Sequence, residues 1–285
     1  MNSIHLCSPA KLNLSLKVLG KRSDGYHELS TLFEKIDLCD DLYLARNRTG
    51  NIRVICAHPQ VPRGPKNLVY RAARMLKDEL GFSGGVDIRI VKRIPVAAGL
   101  AGGSSNAASV LLGLNKLWGL KLSRQRLTAF AGRIGSDVPL FLDEDIFCHG
   151  TGRGDRLRGL KIQKKYWHVV VTPRLKVYSK EVFEAFKMGL TKTNDNVNIL
   201  TCALRTNDVA RAGQFLSNDL ETAIVRVHPQ LLKIKNNIKI ISGLDVCFSG
   251  SGPSLFAFVP TQAMAREISG LLKKVYAQVF AVRTL

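Results

Sequence analysis

The feature that most constrains this chain is a run of small residues at 95–108, PVAAGLAGGSSNAA. It follows the alternating segment VDIRIV, which is typical of a strand, and precedes a helical pattern that we expect to begin near Ser105. Glycines let the backbone turn tightly and approach a ligand closely, and a helix N-terminus presents unpaired N–H groups to an anion. The run therefore predicts a phosphate-binding loop. A small-residue turn that packs a helix closely on a strand is the alternative.

The spacing inside this run excludes two well-known phosphate loops. A Walker A loop needs a lysine directly after its last glycine, but Ser104 and Ser105 follow Gly103. The dinucleotide fingerprint G-x-G-x-x-G is absent as well, since Ala101 stands two positions after Gly99. The two serine hydroxyls could cap the helix, contact phosphate oxygens or meet a phosphate-bound metal ion. The run predicts an anion site of a third kind.

Length and charge bound the possible functions. The chain has 285 residues, 46% hydrophobic and 22% charged, which suits a globular protein with room for two modest domains. The net charge is +20, from 42 Lys and Arg against 22 Asp and Glu. Such a field favours phosphorylated small molecules, nucleic acid or a membrane surface. The basic residues are spread along the chain rather than packed in blocks, so the sequence does not signal a dedicated nucleic-acid patch.

Neither targeting segments nor metal motifs are recognisable. No apolar run approaches the ~20 residues of a membrane-spanning helix, and the N-terminus lacks the features of a secretion signal. The six cysteines are scattered without a C-x-x-C pair, and the histidines show no metal-ligand spacing. We therefore expect a cytoplasmic protein with reduced thiols and without a protein-bound metal site.

Strand and helix patterns are mixed along the chain without regular βαβ alternation, which favours an α+β fold. The segment Leu12–Val18 alternates between apolar and polar residues, which predicts a half-buried strand with Lys11 and Asn13 on its polar face. The segment GTGRGDRLRG at 150–159 is rich in glycine and charge and suggests a domain boundary. The predicted domains are 1–152 and 153–285.

Four motifs together resemble one family. PVAAGLAGGSSNAA resembles the ATP-binding motif of the GHMP kinases, the family of galactokinase and the homoserine, mevalonate and phosphomevalonate kinases. The other motifs are similar to further hallmarks of that family, and the resemblance spans nearly the whole chain: SPAKLNLSLKVLGKRSDGYHEL at 8–29, GSDVPLFL at 135–142 and SGSGPSLFAF at 249–258. It implies an α+β, two-domain GHMP kinase architecture. The N-terminal domain would have the ribosomal protein S5 domain 2-like fold.

The resemblance implies a catalytic pair, Lys11 and Asp137. Asp137 matches the base that accepts the proton of the substrate hydroxyl, and Lys11 matches a lysine that orients this carboxylate and offsets negative charge. From the residues alone, Asp137 could instead cap a helix before Pro139, since GSDVP is good capping chemistry. Lys11 could be an ordinary exposed strand lysine.

The resemblance also implies a site for a cytidine diphosphate substrate. Tyr26 and His27 match positions that hold the cytosine, Asn13 matches a contact to the methylerythritol end, and Phe183 best matches an aromatic from the second domain. The family's stretch around that aromatic contains prolines that VYSKEVF lacks, which puts Phe183 in doubt. Without the resemblance, His27 would be interpreted as a hydrogen-bonded loop histidine.

ATP is the implied phosphoryl donor, and magnesium is implied with it. Asn67, Lys92 and Asn106 match positions around the ATP base. Each has a structural alternative: Asn67 could be a helix cap, Lys92 an edge-strand charge and Asn106 an ordinary residue at a helix N-terminus. The predicted ATP-binding residues are Asn67, Lys92, Pro95, Val96, Ala97, Ala98, Gly99, Leu100, Ala101, Gly102, Gly103, Ser104, Ser105 and Asn106. For the metal, only Ser104 or Ser105 are candidate ligands. Gly250, Ser251 and Gly252 match a loop that supports the site, and a plain hairpin turn would look the same.

The expected activity is ATP-dependent phosphorylation of the 2-hydroxyl of 4-diphosphocytidyl-2-C-methyl-D-erythritol, in the non-mevalonate route to isoprenoid precursors. The nearest alternative is another small-molecule kinase of the family, of homoserine or mevalonate type. An RNA-binding protein would suit the charge, but its basic residues would be interleaved with aromatic ones. We expect a monomer or weak homodimer that binds neither nucleic acid nor a membrane.

Overall fold

The computed structural model describes residues 2–188 and 196–285. The chain divides into two compact units that alternate along the sequence. The first unit contains Met1–Ala10, Leu38–Val96 and Ala101–Glu144. The second contains Lys11–Asp37, Ala97–Leu100 and Asp145–Leu285. The domains at 1–152 and 153–285 are a different division of the chain and stay a prediction.

Strands and helices are mixed, which confirms the α+β prediction. The strands of the described residues are β1 Ser3–Lys21, β2 His27–Asn47, β3 Ile52–Cys56, β4 Gly85–Val91, β5 Phe147–Gly152, β6 Arg156–Leu160, β7 Trp167–Val171, β8 Ser217–Asn218, β9 Cys247–Phe248, β10 Leu255–Val259 and β11 Val279–Arg283. The α-helices are α1 Leu68–Glu79, α2 Gly102–Trp118, α3 Arg124–Ile134, α4 Ser179–Ala185, α5 Val197–Thr206, α6 Val209–Gln214, α7 Glu221–Val227, α8 Gln230–Ser242 and α9 Gln262–Lys273. A short 3-10 helix covers Pro139–Leu142. Across this part of the chain, no helix combines the length and apolar character needed to cross a membrane.

In the first unit, helices α1, α2 and α3 pack against one another beside strands β2, β3 and β4. The end of β2 pairs antiparallel with β4, and β3 pairs parallel with β4. Helix α2 lies directly on the sheet, because a Cβ added at Gly113 would be 2.6 Å from Leu6 and 2.9 Å from Leu44. The Ser8 hydroxyl donates a 2.7 Å hydrogen bond to Ser109 of α2. This packing holds the start of α2 at the end of the predicted phosphate loop.

In the second unit, the strand order β11-β7-β10-β9 forms an antiparallel sheet. Strands β7, β10 and β11 and helices α4, α7, α8 and α9 contribute to a shared hydrophobic core. The start of β2 pairs with β5, and β5 pairs with β6 in a hairpin. The segment 150–159, where the sequence suggests a boundary, is this hairpin.

The strand predicted at Leu12–Val18 is part of β1, but it is not half-buried. Lys11, Asn13 and Ser15 of its polar face are at most 3% exposed. The alternation of the sequence is real, yet both faces of the strand are covered by protein. A polar face that is buried in this way must find hydrogen-bond partners.

Candidate active site

The structure brings Lys11 and Asn13 together on one face of β1, as the period of two predicts. The Lys11 ammonium donates a hydrogen bond to Asn13 Oδ1, and Asn13 Nδ2 donates one to Thr31 Oγ1 at 2.8 Å. The same ammonium lies 5.5 Å from the ring centroid of Phe33. Lys11 is only 3% exposed, so it is not the ordinary surface lysine of the alternative. A buried ammonium with fixed partners is suited to holding a precise position in a reaction.

The first half of the glycine-rich loop is fixed against the segment that follows β9. A Cβ at Gly99 would be 2.1 Å from the carbonyl oxygen of Ser249, and Gly99 itself has a positive φ of +75°. The Ser249 hydroxyl donates a 3.1 Å hydrogen bond to the Gly99 carbonyl. The Leu100 carbonyl accepts a 3.1 Å hydrogen bond from the amide of Lys11. Only glycine fits at position 99, and its close contact ties the loop to both neighbouring motifs.

Gly250 lies over the Lys11–Asn13 pair. A Cβ there would be 3.3 Å from Asn13 Oδ1 and 3.4 Å from both Lys11 Nζ and the Gly99 carbonyl. The 249–254 segment therefore connects the β9–β10 hairpin to Lys11 and Asn13. It does more than turn the chain.

Two polar residues that the sequence did not single out support this segment. Asn218 donates hydrogen bonds from Nδ2 to the carbonyls of Phe248 at 2.9 Å and Gly250 at 2.8 Å. Ser249 accepts a 3.3 Å hydrogen bond from the Asn13 amide. Asn218 is about thirty positions from the loop it holds, so no local motif signals its role. Ser249 lies inside a motif and could have been noticed.

Helix α2 begins at Gly102, three residues earlier than the position near Ser105 that the sequence suggests. Ala101 precedes it with a left-handed backbone, φ 54°, and its side chain makes no capping hydrogen bond. Gly102, Gly103 and Ser104 therefore form the first turn, and their N–H groups are among those that a helix leaves unpaired. Such a start presents the unpaired donors that the predicted anion site needs, and anion binding here stays a prediction.

Beneath this first turn lies a buried ion pair. Lys92 Nζ donates a 2.6 Å hydrogen bond to Asp40 Oδ2, and the two side chains are 6% and 0% exposed. Asp40 also accepts from the backbone amides of Arg93 and Ile94, at 2.7 and 2.8 Å. Burial lowers the pKa of Lys92, and the Asp40 charge opposes that effect. The edge-strand charge of the alternative is wrong, because Lys92 is enclosed and paired.

Gly102 is required by this ion pair. A Cβ at Gly102 would be 2.9 Å from both Lys92 Nζ and the Ile94 side chain. At the neighbouring Gly103 it would meet only Leu68, at 3.8 Å. The two adjacent glycines thus have different constraints, and only the first couples α2 to Lys92.

The two loop serines differ in accessibility. Ser105 is fully buried and its Oγ has no hydrogen-bond partner within the described structure. Ser104 is partly exposed at the helix start. Asn106 is 3% exposed, and its Oδ1 also lacks a partner among the described atoms. Of the two hydroxyls that could reach a phosphate-bound ion, Ser104 is the accessible one.

Asn67 caps helix α1, which is the structural alternative to a position around the ATP base. Its Oδ1 accepts a 2.9 Å hydrogen bond from the Val69 amide, and its Nδ2 donates to the Pro62 carbonyl at 2.5 Å. The side chain is buried, with 7% exposed. This cap fixes the start of α1, and a contact from Asn67 to ATP stays a prediction.

Asp137 lies in the turn between α3 and the 3-10 helix. The N-cap position of that helix is Val138, and no side chain makes a capping hydrogen bond there. The structure therefore does not support the alternative in which Asp137 serves as the cap. Asp137 belongs to the first unit and Lys11 to the second, and their pairing stays a prediction.

The structure brings two of the predicted cytosine-site aromatics together within the second unit. The rings of His27 and Phe183 stack with centroids 5.1 Å apart, and Phe186 meets His27 edge-on at 6.2 Å. Burial, and secondarily the charge of Lys21, lower the pKa of His27. A neutral imidazole beside an aromatic ring offers both a stacking surface and a hydrogen-bonding edge. Phe183 therefore lies beside His27, and its role in binding cytosine stays a prediction.

Tyr26 is half-exposed and is held by a residue that the sequence reasoning missed. The guanidinium of Arg153 lies 4.9 Å from the Tyr26 ring centroid and pairs with Asp155 at 2.7 Å. On the other side of the turn, Arg22 pairs with Asp24 and Glu28. Arg153 lies in GTGRG, where the sequence suggests a domain boundary, and glycine and charge give no signal of a ring contact.

The hydrogen-bond donors at the start of α2 fit the phosphates of a nucleoside triphosphate. The start of α2 supplies backbone donors without a carboxylate, and Ser104 adds an accessible hydroxyl. Triphosphate oxygens would supply most of the oxygen ligands of a magnesium ion, which prefers few protein ligands. Nothing in this chemistry conflicts with Mg-ATP.

Comparison with known proteins agrees with this geometry. A model of the GHMP kinases N terminal domain matches residues 67–144. The chain is 38% identical to the 4-diphosphocytidyl-2-C-methyl-D-erythritol kinase of Bacillus anthracis over 278 residues, which cover 98% of this chain and 96% of the relative. The enzyme of the same name from Bacillus thuringiensis strain Al Hakam is 38% identical over 287 residues, covering 100% and 98%.

Solved structures share the fold. A crystal structure of 4-(cytidine 5'-diphospho)-2C-methyl-D-erythritol kinase matches with a TM-score of 0.84 and 32% identity, covering 98% of each chain. A homoserine kinase from Cytophaga hutchinsonii matches with a TM-score of 0.78 and 20% identity, covering 100% of this chain and 95% of that one. At that identity the second match shows the common fold alone. With a curated relative 38% identical over almost the full length of both proteins, the chain belongs to the GHMP kinase family.

Proposed function

We propose that this chain is an ATP-dependent kinase that phosphorylates the 2-hydroxyl of 4-diphosphocytidyl-2-C-methyl-D-erythritol. The observation that carries the proposal is the full-length similarity to enzymes of that name. Within the second unit, the motifs around Lys11, Gly99 and Gly250 converge as a phosphotransfer site requires. The product is the 2-phosphate, an intermediate of the non-mevalonate route to isoprenoid precursors. The proposed compartment is the cytoplasm, where ATP is supplied and the free thiols stay reduced.

The proposed reaction forms a bond between the substrate oxygen and the γ-phosphorus of ATP. The bond from that phosphorus to the β–γ bridging oxygen breaks, and ADP leaves with the electron pair. Asp137 takes the proton of the attacking hydroxyl, and Lys11 orients the reacting groups and offsets negative charge. Positioning and charge neutralisation supply most of the acceleration in such transfers.

ATP would be bound by the first turn of α2 and the loop before it, with Asn67, Lys92 and Asn106 toward its base. Magnesium would supply charge neutralisation between the phosphates, and Ser104 is its proposed protein ligand because it is the accessible loop hydroxyl. Lys92 acts on this region through Gly102, whose Cα has no room for a side chain above the ammonium.

The cytosine of the substrate would be held at Tyr26, His27 and Phe183, with Asn13 toward the methylerythritol end. The stacked rings of His27 and Phe183 support this assignment. Asn13 shares a hydrogen bond with Lys11, which links substrate contact to the reacting centre. The proposed partners are small molecules, without nucleic acid or membrane, and the proposed assembly is a monomer or weak homodimer.

A substrate panel tests this proposal. ADP release would be measured with 4-diphosphocytidyl-2-C-methyl-D-erythritol, homoserine and mevalonate as acceptors, each with magnesium and ATP. We expect the cytidine substrate to have the highest kcat/KM by orders of magnitude, and CTP to compete with it. A preference for homoserine or mevalonate would contradict the substrate assignment and leave a kinase of another specificity. RNA binding without any turnover would contradict the kinase assignment itself.

A further inference from the structure

Three metal-ligating side chains meet at the surface of the first unit, away from the motifs described above. His5 and Cys7 are two positions apart on β1, so they project from the same face of the strand. Asp41 is on β2, the neighbouring strand in the sheet. One nitrogen, one sulfur and one carboxylate oxygen from these residues all lie within 4.8 Å of one another. Spacing along the chain could not reveal this cluster, because Asp41 is 34 positions from Cys7.

Two of the three distances between the ligand atoms are close to those of a tetrahedral metal centre. His5 Nε2 lies 3.0 Å from Asp41 Oδ1, and Cys7 Sγ lies 3.7 Å from the same oxygen. Zinc bonds of about 2.0–2.3 Å at tetrahedral angles would separate nitrogen from oxygen by about 3.4 Å and sulfur from oxygen by about 3.6 Å. Small side-chain rotations would therefore suffice to admit the ion.

Neighbouring side chains fix the orientation of His5 and Asp41. The ring of His5 stacks on that of Tyr43, with centroids 4.6 Å apart. The guanidinium of Arg89 lies 4.3 Å from the centroid of the same Tyr43 ring. Arg93 binds Asp41 through Oδ2 at 2.5 Å, which leaves Oδ1 directed at His5 and Cys7. Hydrogen bonds of this kind commonly fix a metal-bound carboxylate.

The three side chains supply a mixed set of donors, one sulfur, one nitrogen and one carboxylate oxygen. Thiolate is the form of cysteine that binds metals, and cysteine, histidine and aspartate are all ligands of Zn²⁺.

We propose that His5, Cys7 and Asp41 form a binding site for a borderline-soft divalent cation of the Zn²⁺ class. The ligands are His5 Nε2, Cys7 Sγ and Asp41 Oδ1, and water fills the fourth position because His5 and Cys7 are exposed. A site of nitrogen, sulfur and oxygen donors favours Zn²⁺ or Co²⁺ over Mg²⁺, which prefers oxygen alone. The site is independent of the magnesium that accompanies ATP and of the proposed function.

Cobalt titration of the untagged full-length protein tests the site. Co²⁺ alone should produce a sulfur-to-cobalt charge-transfer band that saturates at one equivalent, with strong visible bands of a tetrahedral centre, and Zn²⁺ should abolish both. The absence of a charge-transfer band at saturating Co²⁺ would overturn the proposal.

Matched variants identify the ligands. Cys7→Ser should abolish the charge-transfer band, and His5→Asn should weaken cobalt binding at least tenfold while keeping some of the band. Cys202→Ser removes another exposed thiol and should leave the titration unchanged. Equal melting temperatures for the variants would show that the fold is intact. A band that survives in Cys7→Ser, or that disappears in Cys202→Ser, would refute this assignment.

Discussion

At the scale of single residues, the buried ion pair of Lys92 and Asp40 has a structural role. The two charges neutralise each other beneath α2, and Asp40 also accepts hydrogen bonds from two backbone amides. Burying such a pair gains little over an apolar pair, but removing one partner leaves an uncompensated charge. The pair is therefore better understood as a device that fixes the base of the loop than as a source of net stability.

Removing the Lys92 charge should destabilise the folded protein. Lys92→Met leaves the Asp40 carboxylate buried without its ammonium partner, and we expect the free energy of unfolding to fall by about 3 kcal/mol. Urea denaturation measures this change. Arg53→Met, which breaks an ion pair with Asp87 whose arginine is 66% exposed, is the control and should cost less than about 1 kcal/mol. Equal losses in the two variants would contradict the role given to burial.

Asp137 is the proposed base, and its removal should affect turnover rather than binding. Asp137→Asn keeps the shape of the side chain but cannot accept the hydroxyl proton. We expect kcat to fall about 10²- to 10⁴-fold, with KM values little changed. Initial rates of ADP formation measure both constants. Glu144→Gln, a nearby loss of charge at an 82% exposed side chain, should keep near-native turnover, and near-native turnover in Asp137→Asn would refute the assignment.

The lowered pKa of His27 predicts how the stability of the folded protein changes with pH. Because its pKa is lowered in the folded protein, the unfolded chain binds the proton more readily below its own pKa of about 6.5. The stability that neutral His27 contributes is therefore fully present above that pH and is lost as the pH falls. Thermal unfolding at about pH 5.5 and about pH 7.5 should show a larger loss in the native protein than in His27→Gln. An equal or smaller loss in the native protein would contradict this sign.

At the scale of elements, the start of α2 decides how the loop works. Ala101 takes a left-handed backbone and lets the helix begin at Gly102, so the loop glycines become the first turn of a helix. The close approach of Gly102 to Lys92 then couples this turn to the end of β4. A loop assembled in this way presents donors from rigid elements, which suits positioning of phosphates.

The adjacent glycines at 102 and 103 provide a matched test. Gly102→Ala would place a methyl group 2.9 Å from Lys92 and Ile94, and we expect it to cost about 1–3 kcal/mol of unfolding free energy and to raise the KM for ATP. Gly103→Ala has space, with Leu68 at 3.8 Å, and alanine is the better helix former by about 1 kcal/mol. Gly103→Ala should therefore leave the free energy of unfolding unchanged or raise it slightly. Chemical denaturation compares the two variants, and a larger loss of stability in Gly103→Ala than in Gly102→Ala would contradict the packing described.

Local pattern predicted some elements well and others not at all. The alternation in VDIRIV predicted β4, because it follows the period of a strand. Helices α5 and α7, of 10 and 7 residues, were not predicted. The burial of Lys11 also escaped prediction, because it depends on Gly250, far along the chain. Roles that need such distant contacts, as for Asn218, have no local signal.

At the scale of the whole molecule, the excess of positive charge is the dominant feature. A net charge of +20 creates a field that attracts the anionic phosphates of both proposed substrates. Salt screens such a field, and the screening length falls to about 3 Å at 1 M. We therefore expect the charge to act in the delivery of substrates rather than in the bond-making step.

Salt should accordingly raise KM more than it lowers kcat. Between about 50 mM and about 500 mM sodium chloride, we expect the KM values for ATP and the cytidine substrate to increase several-fold, with kcat changed less. Steady-state kinetics across this range measure both, and a series in a neutral osmolyte at equal osmolarity is the control. A KM that stays constant with salt would show that the overall charge plays no part in substrate capture.

The central claim is that this chain phosphorylates one hydroxyl of one cytidine diphosphate substrate. Phosphorus NMR of the products from 4-diphosphocytidyl-2-C-methyl-D-erythritol, ATP and magnesium tests it most directly. We predict one new phosphomonoester, coupled to the 2-position of the methylerythritol, with one ADP formed for each product molecule. ATP hydrolysis without that phosphomonoester, or its formation at another hydroxyl, would contradict the account.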